Sequence, residues 1–119
     1  MERRYLLPAD GNFYKTSMHT HTTISDGRLT PEEVKEIYQS MGYSVVAYTD
    51  HSRLVQHNDL TDENFLAINA YEYEVFGDGC CYHLNFYAKT PDVEKQVAFL
   101  NNFLLLKSLY MVAYAKHSC

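Results

Sequence analysis

Residues 18–51 read MHTHTTISDGRLTPEEVKEIYQSMGYSVVAYTDH, and the clearest secondary-structure signal in them begins at Thr30. Thr30 is followed by Pro31 and, three residues on, by Glu33, which together form the capping box of a helix N-terminus. Apolar residues then recur at helical spacing, and Gly42 is a typical helix stop, so we predict an amphipathic helix that ends before this glycine. The apolar face of that helix comprises Val34, Ile37, Tyr38 and Met41.

A strand is predicted on each side of this helix. Phe13 to about Met18 precedes it, and Tyr43–Thr49 follows it as a β-branched and aromatic run without charge. An uncharged run of this kind is typical of a strand buried on both faces of a parallel sheet. The order of strand, helix and strand predicts one right-handed βαβ unit, with residues 19–29 as its first loop.

The second half of the chain predicts a hairpin and one more helix. Phe65–Val75 and Cys81–Ala88 are strand candidates, and Phe76-Gly77-Asp78-Gly79, which lie between them, suit a hairpin turn. We therefore expect these two strands to pair antiparallel. Thr90-Pro91-Asp92 predicts the start of a last helix, which runs to somewhere near Leu106.

Length and charge limit the protein classes that fit this chain. With 119 residues and 13.8 kDa, it is long enough for one domain, which we place at 1–119. Ten Lys and Arg against fifteen Asp and Glu give a net charge of −5. Such a balance is poor for tracking nucleic-acid phosphates or an anionic membrane, so we expect neither partner.

The location of the protein is predicted from its N-terminus, its apolar runs and its cysteines. The first eight residues lack the apolar core of a secretory signal, and no run reaches the roughly 18 apolar residues of a membrane span. Three cysteines make an odd number, and their spacing suits neither a disulfide framework nor a zinc ribbon. We therefore expect a cytoplasmic protein with reduced thiols and no membrane segment.

Histidines and carboxylates follow the predicted strands. Residues two apart in an extended segment point to the same side, so His19 and His21 can chelate one ion. Imidazole and carboxylate together suit zinc, manganese or iron, whereas calcium and magnesium prefer oxygen alone. Two such ions a few ångström apart commonly hydrolyse phosphate esters, so metal-assisted hydrolysis is the leading hypothesis. The six candidate ligands are His19, His21, Asp26, His51, Glu72 and His83.

Each of these residues also has an ordinary structural explanation, which the sequence leaves open. An isolated His-x-His is more often a surface pair than a metal site, and Asp26-Gly27 is a common turn dipeptide. Asp50 and His51 can cap the segment that follows their strand. Glu72 can line the solvent face of a strand, and His83 can be a hydrogen-bonded histidine.

Several blocks of the sequence resemble the PHP family, the polymerase and histidinol phosphatase domain of metal-dependent phosphoesterases. The blocks are Met18-His19-Thr20-His21-Thr22, Ser25-Asp26-Gly27, Thr30-Pro31-Glu32-Glu33 and Ala47-Tyr48-Thr49-Asp50-His51. More loosely, Ala70-Tyr71-Glu72 is similar to the family's Gly-x-Glu strand, with Ala in place of Gly, and Tyr82-His83-Leu84-Asn85 is similar to a later histidine strand. The resemblance covers roughly residues 13–88.

The resemblance implies an α/β fold, namely the N-terminal half of a distorted, TIM-barrel-like (βα)7 barrel with a β-hairpin. It implies up to three divalent ions at the C-terminal strand ends, chosen from zinc, manganese, iron or magnesium. It assigns the six candidate residues as metal ligands, with Glu74 as the rival of Glu72 because both lie on the same face of a strand. Asp50 would orient a ligand or cap the strand.

The family's remaining ligands, a further His and a late Asp-x-His, come from a C-terminal half that this chain lacks. His117 does not lie in the family's sequence context. We therefore expect a single PHP-like domain truncated at its C-terminus, whose open half-barrel exposes strand edges. Such an edge, or the Leu-rich tail Phe103–Leu106, would be a surface for self-association.

Three functions are compatible with the sequence. The first is a phosphoesterase acting on a small phosphomonoester, with Arg53 as a candidate substrate contact or, more simply, a solvated surface residue. The second is a non-enzymatic metal-binding module that acts in assembly, because the chain lacks the later ligands. The third is a PHP-type nuclease or proofreading domain, against which the negative charge counts.

Overall fold

A computed structural model describes residues 10–91, 110–111 and 116–118. The predicted last helix beyond Pro91 and the Leu-rich tail Phe103–Leu106 lie outside the described residues. The described elements, in chain order, are β1 (Thr16–Ser17), α1 (Pro31–Ser40), β2 (Val45–Tyr48), a 3-10 helix (Asn58–Leu60), β3 (Leu66–Gly77), β4 (Cys80–Tyr87), β5 (Tyr110–Met111) and β6 (Lys116–Ser118).

The strands form one mixed sheet with the order β1-β2-β3-β4-β5, and β6 also pairs with β4. Strands β1, β2 and β3 are mutually parallel, while β3 and β4 are antiparallel. The predicted order of strand, helix and parallel strand is therefore confirmed, as is the hairpin. This α/β arrangement fits part of a barrel.

Helix α1 begins where the capping box predicts. The Glu33 amide donates to Thr30 Oγ1 at 3.2 Å, and the Thr30 amide donates to Glu33 Oε2 at 2.8 Å. The predicted apolar face is only partly covered: Val34 is buried, whereas Ile37 and Met41 are 41% and 50% exposed. The helical spacing therefore predicted the correct face of α1, but the other described residues cover mainly the N-terminal end of that face.

The first two strands are shorter than predicted, and the hairpin turn is tighter. Phe13 and Tyr14 are 78% and 62% exposed and precede β1, because the register of β1 on β2 begins only at Thr16. In the hairpin, Asp78 and Gly79 have φ of 53° and 78°, the left-handed pair that a two-residue type I′ turn requires. The predicted five-residue connection, 76–80, therefore contracts to two residues.

A small apolar core holds α1 against the sheet. It is built on Val46 and Tyr48 of β2, with Val34 from the helix and Phe65 beside β3. The Tyr48 hydroxyl donates to the Pro31 carbonyl at 3.1 Å, and burial raises the pKa of this phenol. This packing fixes β2 relative to the start of the helix, and thereby fixes the loops that leave the C-terminal ends of β1 and β2.

The expectation that every thiol is reduced is wrong. Cys80 is disulfide-bonded, whereas Cys81 is a free thiol. Sequence spacing was a poor guide because β6 pairs with β4 and sets Ser118 opposite Cys81, far along the chain. Among the helices described, none has the length and apolar character needed to cross a bilayer.

Candidate metal centre

The loop after β1 carries two of the predicted ligands, and threonines fix it to the end of β2. The Thr49 amide donates to the Thr20 carbonyl at 2.8 Å, and the Thr20 amide donates to Thr49 Oγ1 at 3.0 Å. Thr20 lies between His19 and His21, so this pairing sets both imidazoles beside His51, which follows β2. The parallel strands thus deliver their ligands to one edge of the sheet.

Asp50, which follows β2, holds the same loop through hydrogen bonds. It is 1% exposed and accepts hydrogen bonds from the Thr22 amide, the Thr22 hydroxyl and the Ser25 hydroxyl, at 2.8, 2.9 and 2.6 Å. The resemblance implied that Asp50 orients a ligand or caps its strand. In the structure its bonds go to the loop that carries His21 and Asp26, so it positions them through the backbone.

Replacing Asp50 with alanine is expected to destabilise the fold strongly. Hydrogen bonds to a charged group contribute about 1.5–3 kcal/mol each, and two buried donors and one part-buried donor would lose their acceptor. After the desolvation cost of the carboxylate is offset, we expect the free energy of unfolding to fall by about 3 kcal/mol in urea titrations. The exposed Asp10→Ala should stay within about 0.5 kcal/mol of the parent, and an equal loss in both variants would contradict this role.

Glu72 lies at the centre of the cluster. Its carboxylate is 2% exposed, and four imidazoles surround it. The distances to Glu72 are 3.5 Å from His19 Nε2, 3.1 Å from His21 Nε2, 3.3 Å from His51 Nδ1 and 3.1 Å from His83 Nδ1. A buried carboxylate without a neighbouring positive charge is costly, so this site favours a bound cation.

The hydrogen bond between His21 and Asp26 selects one tautomer of the histidine. His21 Nδ1 lies 2.7 Å from Asp26 Oδ1, and since an ionised carboxylate only accepts, Nδ1 carries the proton. This bond also holds the pKa of Asp26 below its usual range. In neutral His21 the Nε2 lone pair then faces Glu72, which is the orientation of a metal-binding imidazole fixed by a carboxylate.

Asp26 also approaches a second histidine. Its Oδ2 lies 3.6 Å from His51 Nε2, so each carboxylate oxygen faces a different imidazole. The side chain is 66% exposed, unlike that of Glu72. Asp26 thus has one oxygen committed to orienting His21 and another directed toward His51.

Two buried polar atoms at the centre lack a hydrogen-bond partner within the described part of the chain: His51 Nδ1 and Asn85 Oδ1. Asn85 is 2% exposed, and its amide nitrogen lies 3.1 Å from His19 Nδ1. Partial burial lowers the pKa of His19, against the opposing effect of Glu72. The lowered pKa of His19 and a His51 nitrogen that lies near Glu72 without a hydrogen bond fit a site that receives a cation.

All six predicted residues come together at this edge. Their candidate ligand atoms form three groups in which the atoms lie within 4.8 Å of one another: His19, His21 and Glu72; His21, Asp26 and His51; His51, Glu72 and His83. Glu74, the rival of Glu72, is 38% exposed and lies 3.9 Å from His51 and 3.6 Å from His83. It borders the cluster, whereas Glu72 occupies its middle.

Other residues considered from the sequence lie elsewhere or were missed. Arg53 is exposed, and His117 lies in β6, where its backbone pairs with Tyr82. Sequence reasoning missed Asn85, although it follows His83 by two residues and therefore shares its face of β4. It also missed Cys81, which shares that face for the same reason.

Comparisons with known proteins agree with this fold. No family model and no curated protein matches the chain. Among solved structures, an amidohydrolase from Chromobacterium violaceum matches with a TM-score of 0.60 and 23% identity over 73% of this chain and 32% of its own. A proposed metal-dependent phosphoesterase from Bifidobacterium adolescentis matches with a TM-score of 0.60 and 22% identity over 80% of this chain and 33% of its own.

These similarities concern the fold. The chain spans about a third of the length of the two proteins that it matches. The resemblance implied the N-terminal half of a distorted (βα)7 barrel, and the described α/β arrangement fits part of a barrel without identifying its type. Over the matched residues, the chain has a fold like that of this amidohydrolase and of this proposed metal-dependent phosphoesterase.

Proposed function

We propose that this chain carries the metal centre of a phosphoesterase, a metal-dependent hydrolase whose preferred substrate is a small phosphomonoester. One observation carries the proposal: the buried Glu72 carboxylate lies between four imidazoles that come from the ends of β1 and β2 and from the hairpin. The solved structure of a proposed metal-dependent phosphoesterase with the same partial fold supports it.

The residues would hold divalent transition ions in the three groups described above. Nitrogen and carboxylate donors in this mixture suit zinc, manganese or iron better than magnesium. Ions bound there would lower the pKa of a water molecule and neutralise charge on phosphoryl oxygens. The family resemblance allows up to three ions, and the groups share Glu72, His21 and His51, so these residues would be common to neighbouring ions.

The protein's own residues then have distinct tasks. Asp26 keeps the Nδ1 proton on His21 and so directs Nε2 inward. Asn85 fixes the ring of His19 from the opposite side. Asp50 holds the loop between His19 and Asp26 on β2, so that the ligands are positioned before any substrate arrives.

A small substrate fits the charge of the chain better than a nucleic acid does. The net charge of −5 provides no electrostatic attraction for a polyanion. Location in the cytoplasm and self-association through an open strand edge remain predictions from the sequence. The two alternatives, a nuclease and a non-enzymatic metal-binding module, are distinguished by the experiment that follows.

The test is hydrolysis of a generic phosphomonoester by the purified 119-residue chain with added Mn²⁺. We expect turnover that His21→Ala and His51→Ala each abolish, while His117→Ala, at a β6 position whose backbone pairs with Tyr82 rather than with His83, retains it. Full metal occupancy without turnover on any phosphate ester would overturn the enzyme and favour the metal-binding module. Release of nucleotides from a 3′ end, with no activity on the monoester, would instead favour the nuclease.

A further inference from the structure

A second group of possible ligands lies farther out on the hairpin. Glu74 pairs with His83 across β3 and β4, and Cys81 precedes His83 by two residues, so all three side chains share one face. Their candidate ligand atoms lie within 4.8 Å of one another, and all three residues are half-buried. This outer group therefore lies at an accessible rim beside the Glu72 cluster.

His83 connects the two groups without forcing them to share an atom. Its Nδ1 lies 3.1 Å from Glu72 Oε1, whereas its Nε2 lies 3.6 Å from Glu74 Oε1. Each ring nitrogen thus faces a different carboxylate. An ion in the outer group can use Nε2 while Nδ1 stays directed toward the centre.

The donor atoms of the outer group differ in kind from those of the centre. The Glu72 cluster offers only nitrogen and oxygen, whereas Cys81 is a free thiol that contributes sulfur. Thiolate, imidazole and carboxylate are the three ligand types that zinc accepts, and magnesium does not favour sulfur. This group of ligands therefore suits a soft divalent ion best.

We propose that Glu74, Cys81 and His83 form a separate, thiolate-containing site for a divalent transition ion of the zinc class. Three protein ligands leave a coordination position open, as in sites where an ion meets an external ligand. The site requires neither turnover nor a filled Glu72 cluster. In this proposal Cys81 is a metal ligand, a role that the proposed phosphoester hydrolysis does not require.

The test is a Co²⁺ titration of the full 119-residue chain under reducing conditions, followed by the thiolate-to-cobalt charge-transfer absorption in the near ultraviolet. The wild type should show this band, and Cys81→Ser should lose it. Cys80→Ser is the matched control, because residue 80 alternates with residue 81 along β4 and the reducing conditions open the Cys80 disulfide in both proteins, and it should keep the band. Glu74→Gln should weaken Zn²⁺ binding at this site by about 10-fold or more.

A Glu72→Gln variant separates this site from the proposed function. It should keep the cobalt–thiolate band while losing phosphoester hydrolysis. Absence of the band in the wild type, or its loss in Cys80→Ser but not in Cys81→Ser, would overturn the outer site and leave the hydrolase proposal intact. If Cys81→Ser were unfolded by circular dichroism, Glu74→Gln decides: unchanged Zn²⁺ affinity there would also overturn the site.

Discussion

Glu72→Gln is expected to remove metal binding from the central cluster, with an affinity loss of at least about 100-fold and no detectable hydrolysis. Even residues that only support a metal ligand cost 10–100-fold in affinity when mutated, and Glu72 is the group that every histidine of the cluster approaches. Glutamine keeps the shape but loses the charge that balances a cation. Competition titrations with a metal-sensitive dye measure the effect.

The fold of this variant should persist, because the change removes a buried negative charge rather than a packed side chain. Glu74→Gln is the matched control: it lies two residues along the same strand face but is 38% exposed at the border of the cluster. It should leave affinity at the centre within a few-fold of the wild type. Equal losses in the two variants would place the centre between the two carboxylates instead of on Glu72.

Gly27→Ala is expected to lower hydrolysis about 100-fold and to destabilise the fold by about 1–3 kcal/mol. A Cβ at Gly27 would lie 2.4 Å from the His21 carbonyl oxygen and 2.6 Å from the Thr22 amide nitrogen. Backbone atoms cannot move aside as a flexible side chain can. The loop must therefore shift, and with it the bond between His21 and Asp26. Steady-state kinetics and urea unfolding measure the two effects.

Gly77→Ala is the control for this substitution. A Cβ there would meet nothing within 4 Å, and Gly77 is not among the glycines with positive φ. Its stability should change by less than about 0.5 kcal/mol and its activity should not change. Similar losses at Gly27 and Gly77 would show that general strain, rather than the close approach to His21, explains the result.

Local signals in the sequence predicted the elements around the site well. The capping box at Thr30 located the start of α1, and Gly77-Asp78-Gly79 located the hairpin. Both are short-range features, in which a few adjacent residues determine the backbone conformation. The prediction of a longer β1 was wrong because pairing with β2 begins only at Thr16. The start of this pairing depends on the register between two strands that are far apart in the sequence.

Glu72 and His83 were assigned by the family resemblance, whereas the grouping of His19, His21, Asp26 and His51 followed from one long-range rule, that parallel strands end at the same edge of a sheet. That rule predicts which residues meet but not which of them is central, so Glu72 and Glu74 could not be separated before burial was known. It also missed Asn85 and Cys81, which reach the site through the antiparallel pairing of β4. Their contribution depends on the register of that hairpin, and a single sequence does not encode the register in an obvious motif.

The convergence of His19, His21, His51 and His83 on Glu72 is tested most directly by elemental analysis of the chain purified without chelator, beside Glu72→Gln. We predict at least one zinc, manganese or iron ion per wild-type chain and a clear loss in the variant. A wild-type chain free of transition metal even after incubation with Zn²⁺ and Mn²⁺, or a metal content that Glu72→Gln leaves unchanged, would contradict a metal centre at this position.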